Sequence, residues 1–530
     1  MELLPSAHLD TFCRDHLPPF EEWPELVLEL PGLQYPDRLN GATALLDDVI
    51  DRYGADRPCL HAPGQETWSY GDLLAASSRI AHVLVDDLGI VPGNRVLLRG
   101  PNNPMLAACW FGVVKAGAVA VTTMPLLRAG ELRTIHEIAA LDAALVDHRF
   151  LEDAAGLGVP TLAFGGADPD DLTAMMTRKS AAFDDVPTSA DDVAMLAFTS
   201  GTTGRPKATM HFHRDVLAVC DTFSRHVLRP DEDDVFTGTP PFAFTFGLGA
   251  VLLFPLHAGA STLLVEKATP GELVDLITEF GVTVCSTAPT AYKAMLAAGA
   301  TLPTLTKAVS AGEHLPAATW QAFRDATGVE IIDGIGATEM LHIFIGSSGD
   351  DIRPGSTGRV VPGYVAAVVD DEGHEVPDGE IGHLAVKGPT GCRYLADERQ
   401  RSYVHQGWNI TGDTFCRDED GYFWYQARSD DMIISAGYNI AAPEVEEALL
   451  LHPRVAECAV VGVPDNARGS VVKAFVVLTD DGVHPTAAEL QDFVKAAIAP
   501  YKYPRTIELV DELPRTATGK LQRYRLRTEQ

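Results

Sequence analysis

The chain has 530 residues, 46% of them hydrophobic and 22% charged, which is ordinary for a globular protein and too long for one core. Its 41 Lys and Arg stand against 73 Asp and Glu, a formal charge of −32. That balance argues against nucleic acid and against an anionic membrane surface as partners.

The N-terminus MELLPSAHLDTF lacks a basic region followed by an apolar one, so no signal peptide is expected. The eight cysteines are scattered, with no CxxC pair and no zinc-type spacing, so neither a disulfide framework nor a metal centre is indicated and a reducing, cytoplasmic setting is the default expectation. RVLL at 95–98 reads as a strand, 103–116 as a buried helix and AVAVT at 118–122 as the next strand. The apolar tract 105–127 is interrupted by Lys115 and Gly117, and 248–265 contains Pro255, His257 and Gly259, so neither is a clean bilayer span. Further strands are expected at 193–198, 260–265, 282–286, 307–310 and 330–332, with helical stretches between them. This alternation implies an α/β fold of parallel, helix-covered sheets.

After about residue 351 the texture changes to short strands, 365–369 and 383–387, separated by DDEGHEVPDGE at 370–380, which suggests a small β-rich module. After Asp430 it changes again: helices at 443–452 and 486–497 and strands at 457–463 and 473–479 fit a compact α+β domain. The expected division is a large domain over 1–429, with subregions of about 1–190, 191–350 and 351–429, and a small domain over 430–530. Residues 502–530 carry seven basic and four acidic side chains, against the trend of the chain. Composition alone reads them as a solvated tail.

The sharpest local feature is TSGTTGRPK at 199–207. Its glycines allow a tight turn and close approach of backbone to a ligand, its hydroxyls and N–H groups can point at phosphate oxygens, and Lys207 can neutralise them. It is not a Walker A loop, because the Gly-Lys-Ser/Thr ending is missing.

TSGTTGRPK resembles the signature of the adenylate-forming superfamily of acyl-CoA synthetases, peptide-synthetase adenylation domains and firefly-type luciferases. Four further motifs of that family follow in order: GIGATE at 334–339, TGD at 411–413, RSDDMIISAGYNIAAPEVE at 428–446 and PRTATGK at 514–520. The resemblance implies a reaction in two halves. A carboxylate attacks the α-phosphate of ATP to give an acyl-adenylate, and the thiol of coenzyme A then expels AMP. Two anions must meet in the first half, so positioning and charge neutralisation carry it.

By the same resemblance, Thr199, Ser200, Gly201, Thr202, Thr203, Gly204 and Lys207 would hold the β- and γ-phosphates. Thr338 would contact the α-phosphate and Glu339 would coordinate Mg2+. Asp413 would accept the ribose hydroxyls, with Arg428 beside it, and Gly312, Glu313, Asp333 and Gly334 would border the nucleotide. Lys520 would carry adenylation. Asp430 would be the hinge of a mobile C-terminal domain that replaces Lys520 by the face bearing Ser435 and Gly437. TGD also reads as a plain turn, and Asp430-Asp431 as a solvated acidic pair.

The acyl pocket rests on less specific strings. PPFAFTFGLG at 240–249 resembles the family's aromatic motif, with Thr245 where amino-acid-activating relatives carry Asp, so no carboxylate is visible for a substrate ammonium. DGIGATEMLHIF at 333–344 and the segments 500–520 and 6–25 resemble benzoate–CoA and 2-aminobenzoate–CoA ligases. Ala243, Phe244, Ala288, Ala311, Gly312, Gly334, Ile335, Gly336, Leu341 and His342 would then wall the pocket, although the small residues also suit helix–sheet packing. His342 would hydrogen-bond an ortho amino or hydroxyl group or the carboxylate, or be a core histidine. The expected partners are a small aromatic acid, ATP and coenzyme A, with a carrier protein as the alternative acceptor. A nucleotide-binding protein without turnover is a further alternative, and monomer and homodimer both remain open.

Overall fold

The computed structural model describes residues 3–199, 205–428, 433–435, 438–465, 469–479, 482, 484–498, 502–515 and 521–528. Strands Arg95–Arg99, Val119–Thr123 and Ala143–Asp147 are buried along their whole length. They pair in parallel within a six-stranded sheet that also holds Thr161–Phe164, Val193–Thr199 and, antiparallel at one edge, Lys207–Phe212. Alternate residues face opposite sides. Val96 and Leu98 enter the central core shared with the second sheet, and Leu97 enters a separate cluster with Val121 and Val146. A strand buried on both faces needs apolar side chains at every position, which is why these segments read as unbroken apolar runs.

Helix Pro104–Lys115 crosses between two of these strands. Asn103 caps it by accepting a hydrogen bond from the Leu106 N–H at 2.9 Å, and Pro104 occupies its first turn, where no N–H is needed.

The second sheet has eight strands, six of them parallel and central: Pro58–His61, Ser261–Leu263, Val235–Gly238, Val284–Thr287, Lys307–Ser310 and Ile331–Gly336. The two sheets interleave along the chain, since the eight-stranded sheet recruits residues 58–61 and the six-stranded sheet runs on to 212. Residue 190 therefore does not separate them. An antiparallel sheet built from Val365–Val369, Ile381–Lys387, Val404–His405, Trp408–Arg417 and Phe423–Arg428 packs against both. The last sheet, in the C-terminal region, joins Ile433–Ser435, Tyr438–Ile440, Val455–Asp465, Gly469–Leu478 and Thr506–Leu509, with helices Ala442–Leu450 and Ala487–Ala497. It meets the larger part through the Lys293 ammonium, which donates to the Ala456 carbonyl, and through His314 and Glu447, whose Nε2 and Oε1 lie 3.0 Å apart.

Among the described residues no helix is long and apolar enough to cross a membrane. The tract 105–127 is instead helix Pro104–Lys115 followed by strand Val119–Thr123.

Candidate active site

Register places the site. Gly238 lies beside Ser286, Thr287 beside Ser310 and Ser310 beside Asp333, so four neighbouring parallel strands end along one edge. Outside the carboxyl ends of such strands is where open α/β sheets bind ligands. The segments leaving this edge carry Ala243 and Phe244, Ala288, Ala311 with Gly312 and Glu313, and Gly334 with Ile335.

Thr199 ends one strand and Lys207 begins the next, antiparallel and directly opposite it. Ser200, Gly201, Thr202, Thr203 and Gly204 lie outside the described residues. The Lys207 Nζ stands 3.4 Å from the Glu339 Oε1, with side-chain exposures of 15% and 9%. Between them sits Tyr394. Its hydroxyl accepts from the Lys207 ammonium and donates to the same Glu339 oxygen. Lys207 also lies over the Tyr394 ring, 4.4 Å from its centroid, a cation–π contact. Burial, followed by the Glu339 charge, raises the Tyr394 phenol far above its ordinary value, so it remains a donor.

The turn bearing Thr338 and Glu339 is held from two sides. His211, on the strand that begins at Lys207, stands 2.9 Å from the Thr338 carbonyl, and Thr390 donates to the Met340 carbonyl at 2.8 Å. Burial lowers His211 to about 3, so it is neutral. Tyr394 and His211 were not among the expected site residues. They come from CRYLADERQ and KATMHFH, strings in which nothing marks one polar residue above its neighbours.

A divalent cation fits this corner on its donor chemistry. The described residues contain no group of three His, Cys, Asp or Glu able to hold a metal by themselves. Glu339 uses only Oε1 in the described contacts. One carboxylate completed by substrate phosphates is the way Mg2+ is usually held.

Asp413 pairs directly across its sheet with Arg428. The Arg428 side chain lies outside the described set, so only its backbone placement is reported. On the neighbouring edge Gly312 has φ +88 and nothing within 4 Å of where a Cβ would stand, an open position above a strand end. The Asp333 Oδ1 is shielded from solvent and has no hydrogen-bond partner. Desolvation raises this carboxyl to about 7, with the His314 charge and hydrogen bonding from the Ser310 side chain and the Gly334 backbone in opposition. A buried acceptor oxygen without a partner suits an incoming N–H donor.

The surroundings of His342 are different in kind. His342 is 2% exposed and ringed by Phe254, Phe223 and Phe246 at centroid distances of 4.5, 5.5 and 5.6 Å. Its Nε2 lies 3.4 Å from the Phe246 carbonyl and its buried Nδ1 has no partner. Burial lowers the imidazole to about 3, so it is neutral. Gly249 permits this packing, because a Cβ there would come within 2.4 Å of the His342 Cδ2. Leu341 holds φ +68, a left-handed backbone that a leucine rarely adopts, and so aims Glu339 and His342 to different sides.

Ala311 and Leu341 are buried, Ala243, Ala288 and Ile335 are half-buried, and Phe244 is 36% exposed. Gly334 and Gly336 instead serve a hairpin with strand Ile343–Gly346. A Cβ at Gly334 would stand 2.8 Å from the Ile343 Cγ2, and one at Gly336 would stand 2.7 Å from the His342 carbonyl oxygen. Close backbone approach is therefore a local reason for glycine at both positions. Ser435 is buried in the C-terminal sheet opposite Tyr438 and Gly469. Lys520, Asp430 and Gly437 lie outside the described residues.

Residues 46–394 match the AMP-binding enzyme family and 444–520 match the AMP-binding enzyme C-terminal domain. The chain belongs to this family. It is 34% identical over 518 residues to the benzoate–CoA ligase of Thauera aromatica, covering 94% of this chain and 97% of that protein. It is also 34% identical to the 4-hydroxybenzoate–CoA/benzoate–CoA ligase of Rhodopseudomonas palustris, covering 87% and 90%. Among solved structures, the anthranilate CoA ligase AuaEII in complex with anthranoyl-AMP superposes with a TM-score of 0.87 at 35% identity, covering 93% of this chain and 97% of that one. A benzoate CoA ligase from Burkholderia xenovorans LB400 superposes at 0.84 and 32%, covering 92% and 99%. This family member is thus an AMP-forming acid–thiol ligase.

Proposed function

We propose that this ligase activates a small aromatic acid (benzoate, 2-aminobenzoate or a hydroxybenzoate such as salicylate) as its acyl-adenylate and transfers the acyl group to coenzyme A. The observation that carries the aromatic reading is the apolar surroundings of His342: three phenylalanine rings, a neutral imidazole and no carboxylate acting on it among the described residues. Flat apolar walls with one polar atom suit an aryl ring bearing at most one hydrogen-bonding substituent. A charged α-amine would find no counter-ion, and burying it unpaired is too costly for an amino-acid substrate. With its proton on Nε2 facing the Phe246 carbonyl, His342 offers Nδ1 as an acceptor to an ortho amino or hydroxyl donor.

In the first half-reaction Lys207 and the 199–204 loop neutralise the β- and γ-phosphates, and Thr338 approaches the α-phosphate. Glu339 holds the divalent cation, which when bound supplies charge to the phosphate oxygens. The unpaired Asp333 oxygen accepts from the adenine amino group, and Asp413, with Arg428 opposite it, takes the ribose hydroxyls. Lys520 bridges substrate carboxylate and α-phosphate. Rotation of residues 430–530 about Asp430 then exchanges Lys520 for the face bearing Ser435 and Gly437, and the thiol attacks. Similarity to named benzoate–CoA and anthranilate–CoA ligases along nearly the whole chain supports this reading.

ATP–pyrophosphate exchange with benzoate, 2-aminobenzoate, salicylate and aliphatic acids tests it. Exchange is expected with one or more of the aryl acids and not with short aliphatic ones, and an aliphatic preference would overturn the aromatic assignment. Product analysis with coenzyme A and with a phosphopantetheine carrier protein decides the acceptor. A carrier-only product would replace coenzyme A in the proposal.

A further inference from the structure

Among the described residues, Lys207–Glu339 is the widest lysine–carboxylate pair. Other lysines close more tightly on carboxylates: the Nζ of the buried Lys115 stands 2.7 Å from Asp47 and 2.8 Å from Asp185, and that of the half-buried Lys307 stands 2.6 Å from Asp234. Lys207 stops at 3.4 Å from Glu339, and the Tyr394 hydroxyl bonds to both partners. We propose that Tyr394 is a positioning residue whose hydroxyl holds the Lys207–Glu339 ion pair at 3.4 Å and keeps it from closing to a short one, leaving the ammonium ready for phosphate and the carboxylate ready for the divalent cation. The inference rests on the nucleotide roles proposed above for Lys207 and Glu339.

The physical case is one of competition. A closed ammonium–carboxylate pair must be opened before either group can serve a ligand. Shortening the separation from 3.4 Å to the 2.7 Å of the Lys115–Asp47 pair deepens the attraction enough to weaken a competing ligand about tenfold at a surface-like effective dielectric. The phenol prevents this by geometry. It gives Glu339 a donor and Lys207 an acceptor that carry no formal charge.

The position of Tyr394 is itself well determined. Its N–H donates to the Gln400 side chain at 2.9 Å, and its ring meets Tyr403 edge-on at 5.8 Å. Five residues on, Arg399 donates to the Arg205 carbonyl at 3.0 Å and to the Pro206 carbonyl at 3.4 Å. Residues 394–400 therefore brace the exit of the phosphate loop as well as spacing its lysine.

Tyr394→Phe removes only the hydroxyl and keeps the ring under Lys207. Calorimetric titration with ATP, without any acid so that no turnover occurs, is expected to show about tenfold weaker binding in Mg2+ and a smaller loss in EDTA, where only Lys207 is affected. Conversion of supplied acyl-adenylate and coenzyme A to thioester should stay within twofold of wild type, and a crystal structure of the variant should show Lys207 and Glu339 within about 3 Å. Tyr70→Phe is the control. It deletes another buried tyrosine hydroxyl, one that donates to the Ala260 carbonyl at 2.7 Å, and should lower Tm without changing ATP affinity.

ATP affinity unchanged in Tyr394→Phe, equal damage to both half-reactions, or the same loss in Tyr70→Phe would each overturn the spacer role while leaving the proposed function standing. A wild-type protein that binds no ATP would remove the proposed function and this inference together.

Discussion

Glu339 and His342 leave the same turn, three residues apart, into opposite surroundings. Glu339 meets a cation and a phenol that donate to one of its oxygens. His342 meets aromatic rings, and burial holds it neutral. The left-handed backbone at Leu341 divides the two, and Gly249 on one side and Tyr394 on the other complete their environments. A site that joins a polyanion to a carboxylic acid needs both kinds of surroundings: polar groups that neutralise charge, and apolar ones that exclude water. Residue type alone does not assign either role. The partners that arrive from distant parts of the chain do.

The strongest way to break the comparison is to remove charge from the polar side alone. Glu339→Gln keeps an acceptor for the Tyr394 hydroxyl but loses the negative charge. ATP–pyrophosphate exchange is expected to fall about 100- to 1,000-fold, the scale for losing one preorganised electrostatic contact. Lys520→Ala should be at least as severe in that assay and, like Glu339→Gln, should spare thioester formation from supplied acyl-adenylate. Equal loss in both half-reactions would contradict the division of labour.

A smaller effect is expected on the dry side, and it should be selective. His342→Ala removes the buried nitrogen that lacks a partner, so kcat/KM should fall about tenfold further for 2-aminobenzoate and salicylate than for benzoate, the value of roughly one neutral hydrogen bond in a buried site. Uniform losses across the three acids would make His342 a packing residue only.

How far these features could be read from sequence follows from the range of the contacts. Strand Lys307–Ser310 was expected at those residues, because it is short, apolar and buried on both faces. The expected strand at 330–332 in fact runs from Ile331 to Gly336. Glycine-rich sequence is a weak strand signal, and it is antiparallel pairing with Ile343–Gly346 that extends the strand. That pairing also gives a packing reason for glycine at 334 and 336. Glu339 and Lys207 stood out through local motifs. Tyr394 did not, since its importance arises only when a residue 187 positions away in sequence reaches it. The charge pattern of the whole chain, −32, predicted nothing about a corner whose sign is set by a few side chains.

The smallest expected effect sharpens the comparison at its third corner, Asp333. Its folded value is raised from 3.8 to about 7, so the native state holds a proton there that the unfolded chain gives up. Any stability linked to that proton is fully present below about pH 4 and is lost as pH rises through 7, because charging the carboxyl in a desolvated position opposes folding. Asp333→Asn cannot charge. Without nucleotide it should therefore melt a few degrees above wild type at pH 8, and the difference should shrink to nothing near pH 4. ATP should narrow the difference at pH 8 from the other direction, because wild-type Asp333 gains a donor from the adenine amino group, whereas the variant amide, turned to present its oxygen, accepts that bond more weakly. Melting curves at pH 4, 6 and 8, with and without ATP, measure both trends. A variant no more stable than wild type at pH 8 would show that solvent or a neighbouring donor already satisfies Asp333. The nucleotide edge would then resemble the Glu339 corner, where the carboxylate is already served by donors, more than the apolar surroundings of His342.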